Sequence, residues 1–187
     1  MTEKEKCASG ELYDANFDQE LIQERILCKD LCHEFNNLKP SNSDERNLLI
    51  KKIIPNSKEN IHIESAFWCD YGYNIFVGEN FYSNHNLVIL DGAKVTFGDN
   101  IFIGPNCSFY TAGHPFDVDQ RNAGLEYAKP ITVGNNVWFG GNVVVLPGVS
   151  IGDGAVIGAG SVVTKDIPEN VLAVGNPCKV VKTLKND

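Results

Sequence analysis

The sequence predicts a mainly β protein: a triangular parallel β-helix closed at its N-terminal end by an α-helical cap. Three observations lead there. The first is a six-residue beat. Val133, Phe139, Val145, Ile151, Ile157 and Val163 are all large and apolar, and glycine follows four of them, at Gly134, Gly140, Gly152 and Gly158. The second is a smaller set four places after each anchor: Val137, Val143, Val149, Ala155, Ser161 and Ile167. The third is an N-terminal third whose apolar spacing is helical instead. Over the beat a helix is excluded, because each interior glycine would cost about 1 kcal/mol. Plain alternation is excluded because the period is six and not two. A short fixed period rich in β-branched anchors and glycines marks a parallel β-helix, three hexads to a coil.

The elements follow in order. From Asp18, a plausible N-cap, Leu21, Ile22, Ile26, Leu27, Leu31, Phe35 and Leu38 recur at helical spacing. A second helix follows in "LKPSNSDERNLLIKKIIP", where Ser41 and Asp44 resemble a capping box and Pro55 ends the run. Residues 1–58 are expected to form the cap and 59–187 the β-helix domain. Coils over about 61–176 would number roughly five, each rising about 4.8 Å. Upstream the beat is carried by Val77-Gly78, Phe97-Gly98, Ile103-Gly104 and Phe109, with an excess of about two residues near Asp91-Gly92. Cys28 and Cys32 stand four apart beside His33, but no second ligand pair has zinc spacing, so they read as core residues.

Composition narrows the function classes. No apolar run is long enough to span a bilayer, and "MTEKEKCASGE" lacks an apolar signal core, so a cytoplasmic setting and no membrane partner are expected. Six cysteines without a paired framework fit a reducing compartment. A net charge of −8 argues against nucleic acid. Residues 165–187 differ, with four lysines against three acids, and offer a place for a small polyanion.

The beat stops over "TAGHPFDVDQRNAGLEYAKP", residues 111–130. Phe109 and Val133 are twenty-four residues apart, a multiple of six, so the loop leaves and returns in register. The coil itself is expected to need nothing between Tyr110 and Ile131. Flat strand faces offer no pocket, so chemistry must come from such excursions or from grooves between subunits. His114 lies at the break, and an imidazole can take and return a proton near neutral pH. Glu126 on the same loop and Asn84 in "FYSNHNL" are candidate partners that would orient it.

With these motifs assembled, the chain resembles the hexapeptide-repeat acyltransferases, and most closely the maltose and galactoside O-acetyltransferases. "GELYDANFDQELIQER" and "LCHEFN" are similar to that family's N-terminal cap; "TAGHP" and the block from "ITVGNNVWFGG" to "AVGNPCKVV" are similar to its loop and coils. The resemblance implies a left-handed β-helix and direct transfer of an acetyl group from acetyl-CoA to a sugar hydroxyl, with no metal required. It implies His114 as general base, Asn84 as its partner and the Gly141 N–H as oxyanion donor. Asp14, Arg25, Tyr82, Asn84 and Asp91 fall where the acceptor is contacted. The galactoside enzymes carry two aspartates at the coil break, whereas this chain has Asp91-Gly92. Trp138, Gly140, Gly141, Ala159, Thr164, Lys165, Lys179 and Lys182 match the coenzyme groove. The family is a homotrimer with active sites between subunits. Alternatives are the same chemistry on an antibiotic, oligosaccharide or amino sugar, a γ-type carbonic anhydrase needing three histidine ligands, and a non-enzymatic scaffold.

Overall fold

The computed structural model describes residues 1–184; Lys185, counted in the basic tail, lies outside the described residues. The six-residue beat becomes a three-sided parallel solenoid. The first face stacks Asn56–Ser57, Ile75–Val77, Val95–Phe97, Ile131–Val133 and Ser150–Ile151. The second stacks Ile61–Ile63, Phe81–Ser83, Ile101–Ile103, Trp138–Phe139, Val156–Ile157 and Val171–Val174, and Lys179–Thr183 pairs antiparallel at its end. The third stacks Phe67–Cys69, Leu87–Leu90, Ser108–Tyr110, Val144–Val145 and Val162–Val163. Six parallel strands on the second face make about six turns where roughly five were expected.

Both inward rows are buried, anchors and smaller residues alike. Phe81, Phe97, Phe109 and Phe139 form one column of edge-to-face rings with centroids 5.0–5.2 Å apart. Ser161, a polar member of the smaller row, is satisfied: its Oγ donates to the Gly158 carbonyl and accepts from the Gly175 N–H. Corners turn on asparagines with positive φ, among them Asn80, Asn100 and Asn136, whose side-chain amides bond coil to coil.

The cap contains three helices. α1 (Glu3–Ser9), absent from the sequence expectation, carries a capping box of Thr2 and Glu5. α2 (Gln19–Asn37) begins as expected, with the Leu21 N–H donating to Asp18. α3 (Ser43–Ile53) departs from expectation. Its N-cap is Asn42, which places Asp44 one position too early for a box with Ser41, and no side chain caps it. The buried face of α2 is Leu21, Cys28, Cys32 and Phe35, while Ile26 and Leu27 are exposed. Small cysteines let the helix approach the first coil closely. Buried Arg46 ties α3 to that coil by donating to the Ser65 Oγ and the Ile63 carbonyl.

The 111–130 excursion is ordered. Ala112–Gly113 and Leu125–Ala128 form a hairpin around α4 (Val118–Asn122), and Leu125–Ala128 also pairs with Tyr13–Asp14 of the cap. The loop is therefore part of the cap's packing, a contact the sequence pattern does not anticipate.

Candidate active site

Three edges separate the faces, and the predicted residues divide among them. The edge between second and third faces, at residues 84–86, 104–106, 140–142 and 158–160, carries Asn84, Gly140, Gly141 and Ala159. The edge between third and first faces, at 70–74, 91–94, 111–130, 146–148 and 164–166, carries Asp91, His114, Thr164 and Lys165. Third-face strands of two to four residues lie between them, so the two edges stand roughly 10 Å apart at about 3.3 Å per residue. Within one chain His114 and Asn84 share no hydrogen bond among the described residues.

His114 is half exposed, and its Nδ1 lies 3.0 Å from the Leu125 carbonyl oxygen. A carbonyl only accepts, so Nδ1 carries the proton and Nε2 of the neutral ring has a free lone pair. The Glu126 carboxylate is 3.8 Å from Nε2. Glu126 is itself held by the Tyr13 hydroxyl and the Asn16 amide, each at 3.4 Å. Burial raises the Tyr13 hydroxyl pKa well above its ordinary value, so it stays a donor.

Beside Glu126 opens a polar cavity of about 210 Å³, lined among others by Asn16, Arg25, Lys29 and Asp70. Arg25 donates to the Tyr71 hydroxyl (2.6 Å) and to the Ala15 carbonyl. Asp70, not singled out in the sequence, has its pKa raised by burial, with Lys29 3.9 Å away pulling it back. A signal was present in "CDYGYN", the counterpart of the coil break, but a lone aspartate in a turn is common. A larger cavity of about 440 Å³ lies between α1 and the same edge, lined mainly by apolar surface, and His114 is in the lining of neither.

Asp91 does not meet the expectation of an acceptor contact. It is fully buried, and its two oxygens accept the N–H groups of Asp70, Tyr71 and Gly72 at 2.7–2.9 Å. Gly72 is required in that turn: its φ is +76°, and a Cβ would lie 2.0 Å from the Ile53 carbonyl oxygen. Asp14 caps its own turn, accepting from the Asn16 and Phe17 N–H groups.

The Asn84 edge has a different property. On the edge between first and second faces, the amides of Glu79, Asp99 and Asn135 donate to side chains one coil on: Asp99, Asn135 and Asp153. At the equivalent corner positions here, the Gly141 and Ala159 N–H groups have no acceptor among the described residues. Gly140 permits the close stacking, since a Cβ there would lie 2.6 Å from the Ala159 nitrogen. The adjoining outer row of the second face runs in register through Tyr82, Phe102, Trp138, Val156, Leu172 and Lys182. Trp138 and Phe102 are exposed, and Tyr82 stacks on His62. Lys179 pairs opposite Val174, which packs over the Gly158 corner. Thr164 and Lys165 are exposed on the His114 edge instead.

Residues 6–57 match the maltose acetyltransferase hexapeptide capping motif, and residues 130–165 match the bacterial transferase hexapeptide family of six repeats. Galactoside O-acetyltransferase of Escherichia coli (strain K12) is 45% identical over 186 residues, covering 100% of this chain and 91% of that protein. The chain belongs to the maltose and galactoside O-acetyltransferase family. Among solved structures, a maltose O-acetyltransferase from Clostridium difficile 630 matches with a TM-score of 0.96 and 49% identity, over 100% of this chain and 99% of that one. A galactoside acetyltransferase in complex with coenzyme A matches with a TM-score of 0.96 and 45% identity, over 100% and 92%. As a member of this family, the protein is an acetyltransferase with acetyl-CoA as its cosubstrate. The carbonic anhydrase and scaffold readings are thereby set aside.

Proposed function

We propose that the protein transfers an acetyl group from acetyl-CoA to a sugar hydroxyl, at sites each built from two chains of a cytoplasmic homotrimer. The single observation that carries this reading is the bond from His114 Nδ1 to the Leu125 carbonyl, which leaves Nε2 as a proton acceptor 3.8 Å from Glu126, a residue of the polar cavity's lining. Acetyl-CoA supplies a thioester carbonyl carbon open to attack. His114 Nε2 takes the proton of the acceptor hydroxyl as that oxygen bonds to the carbonyl carbon. It returns the proton to the sulfur as the carbon–sulfur bond breaks. The unpaired Gly141 N–H donates to the carbonyl oxygen while negative charge builds there. Glu126 lies 3.8 Å from Nε2, beside the atom that carries the proton between the two transfers.

Arg25, Lys29, Asn16, Asp70 and Glu126 offer both donors and acceptors, as a polyhydroxylated acceptor requires. Asp14 and Tyr82 are assigned to positioning at the cavity rim and the neighbouring face, and Asn84 to the acceptor from the adjoining chain. Coenzyme contacts are assigned to Trp138, Gly140, Ala159, Thr164, Lys165, Lys179 and Lys182, with the lysines pairing with phosphate as point charges. The roughly 10 Å between the His114 and Gly141 edges supports a site shared between subunits. Six free cysteines suit a reducing cytoplasm.

His114→Ala tests the chemistry. It should lower kcat by about 10²–10⁴ with little change in acetyl-CoA affinity, measured by thiol release and by coenzyme titration. Turnover near that of the unmodified enzyme would remove His114 from the mechanism.

A further inference from the structure

Beside the elements that line the polar cavity, α2 and the first coil bring three thiols together. Cys28 and Cys32 stand one helical turn apart on α2, and Cys69 ends the strand Phe67–Cys69. By sequence spacing alone the two helical cysteines are packing residues, since no second ligand pair has zinc spacing. The third sulfur comes from a strand 37 residues beyond Cys32. We propose that Cys28, Cys32 and Cys69 form a binding site for a thiophilic divalent d¹⁰ cation, zinc or cadmium, built from none of the residues assigned to acetyl transfer.

The geometry suits that ion. The Cys28 and Cys69 sulfurs are 3.5 Å apart, and the Cys32 and Cys69 sulfurs 3.9 Å; all three lie within 4.8 Å of one another. Zinc–sulfur bonds of about 2.3 Å at tetrahedral angles place sulfurs about 3.8 Å apart. Soft thiolate donors select zinc and its heavier congener over oxygen-seeking cations. All three sulfurs can therefore bind one ion with little movement. Cys28 also lines a groove of about 230 Å³ with Leu27, Leu31, Tyr71 and Tyr73, the side from which an ion and a fourth ligand would enter. Three thiolates on a divalent ion leave one net negative charge. Cysteine content alone does not produce this arrangement. Cys7, Cys107 and Cys178 are also buried, yet among the described residues they form no such group.

The test uses the full chain, reduced and stripped with chelator, titrated with Cd(II) alone. One equivalent per chain should bind, with an ultraviolet thiolate-to-cadmium absorption band, and Cd(II) should displace Zn(II) from the zinc-loaded chain. Binding raises the melting temperature if the folded state is the one that holds the ion. Cys69→Ser should weaken binding by more than about a hundredfold, since even changes outside the ligand set cost 10–100-fold. The triple variant Cys7→Ser, Cys107→Ser, Cys178→Ser should bind as the unmodified chain does. Should Cys69→Ser fail to fold, X-ray absorption of the cadmium-loaded unmodified protein decides, with three sulfur ligands expected. Fewer than three sulfurs, substoichiometric binding, or equal affinity in folded Cys69→Ser would overturn the proposal. So would a Cys28–Cys69 disulfide in the isolated protein that, once reduced, still takes up no cadmium.

Discussion

Asp91 commits both carboxylate oxygens to the interior, where they hold the turn at residues 70–72. Asparagine there would turn an amide NH₂ or lose an acceptor against one of three buried N–H groups. Asp91→Asn should therefore cost about 1–3 kcal/mol of stability in denaturant titration, the penalty of an unsatisfied buried donor. Acceptor KM should stay within about twofold in the folded variant. A large KM rise with unchanged stability would return Asp91 to the acceptor site. His114 was legible from residue type and from its place at a break in the repeat. Its tautomer was not, because the deciding partner is a backbone carbonyl eleven residues on, and a carbonyl carries no letter in the sequence. The role of Asp91 was hidden for the mirror reason: its partners are three backbone N–H groups about twenty residues earlier.

At the scale of elements, the excursion at 111–130 joins cap to coil. Its strand Leu125–Ala128 pairs with Tyr13–Asp14, and Ala128 packs in one cluster with Tyr13, Leu21 and Tyr71. Replacing residues 112–129 by a short Gly-Ser turn should leave the coils in register, because Phe109 and Val133 stay in step. The cap would lose its strand partner and expose Tyr13. Losing the burial of one large side chain predicts a melting temperature lower by roughly 5–10 °C, together with loss of activity. An unchanged melt would show that the loop contributes nothing to the cap. Helices α2 and α3 were legible from apolar period and Pro55. Helix α1 was not, because a seven-residue helix with a single buried side chain, Cys7, has no period to read. It is held by tertiary contacts such as the ion pair of Lys4 with Glu24 at 2.5 Å.

For the whole molecule, the proposed base and oxyanion donor occupy different edges of one prism. If a site takes His114 from one chain and Gly141 from its neighbour, two inactive variants should complement each other. Mixing His114→Ala and Gly141→Pro chains in equal amounts and reassembling them should restore about a quarter of unmodified activity by statistical pairing. The separate variants should each stay nearly inactive. No recovery on mixing, with mixed oligomers present, would place both groups in one chain's site.

What the sequence determined by itself was the solenoid, its period, the place where the period breaks, and the family to which the chain belongs. A repeat is a local pattern: each hexad repeats the same choice of anchor and turn, so neighbouring letters suffice to read it. Tertiary structure alone decided which groups meet. The buried clasp of Asp91 and the three-thiol cluster join atoms from different coils or from cap and coil, and the Leu125 carbonyl reaches His114 across the folded loop. Such contacts depend on how coils stack and how α2 settles on the first of them, and that geometry appears only when the chain is closed up in three dimensions.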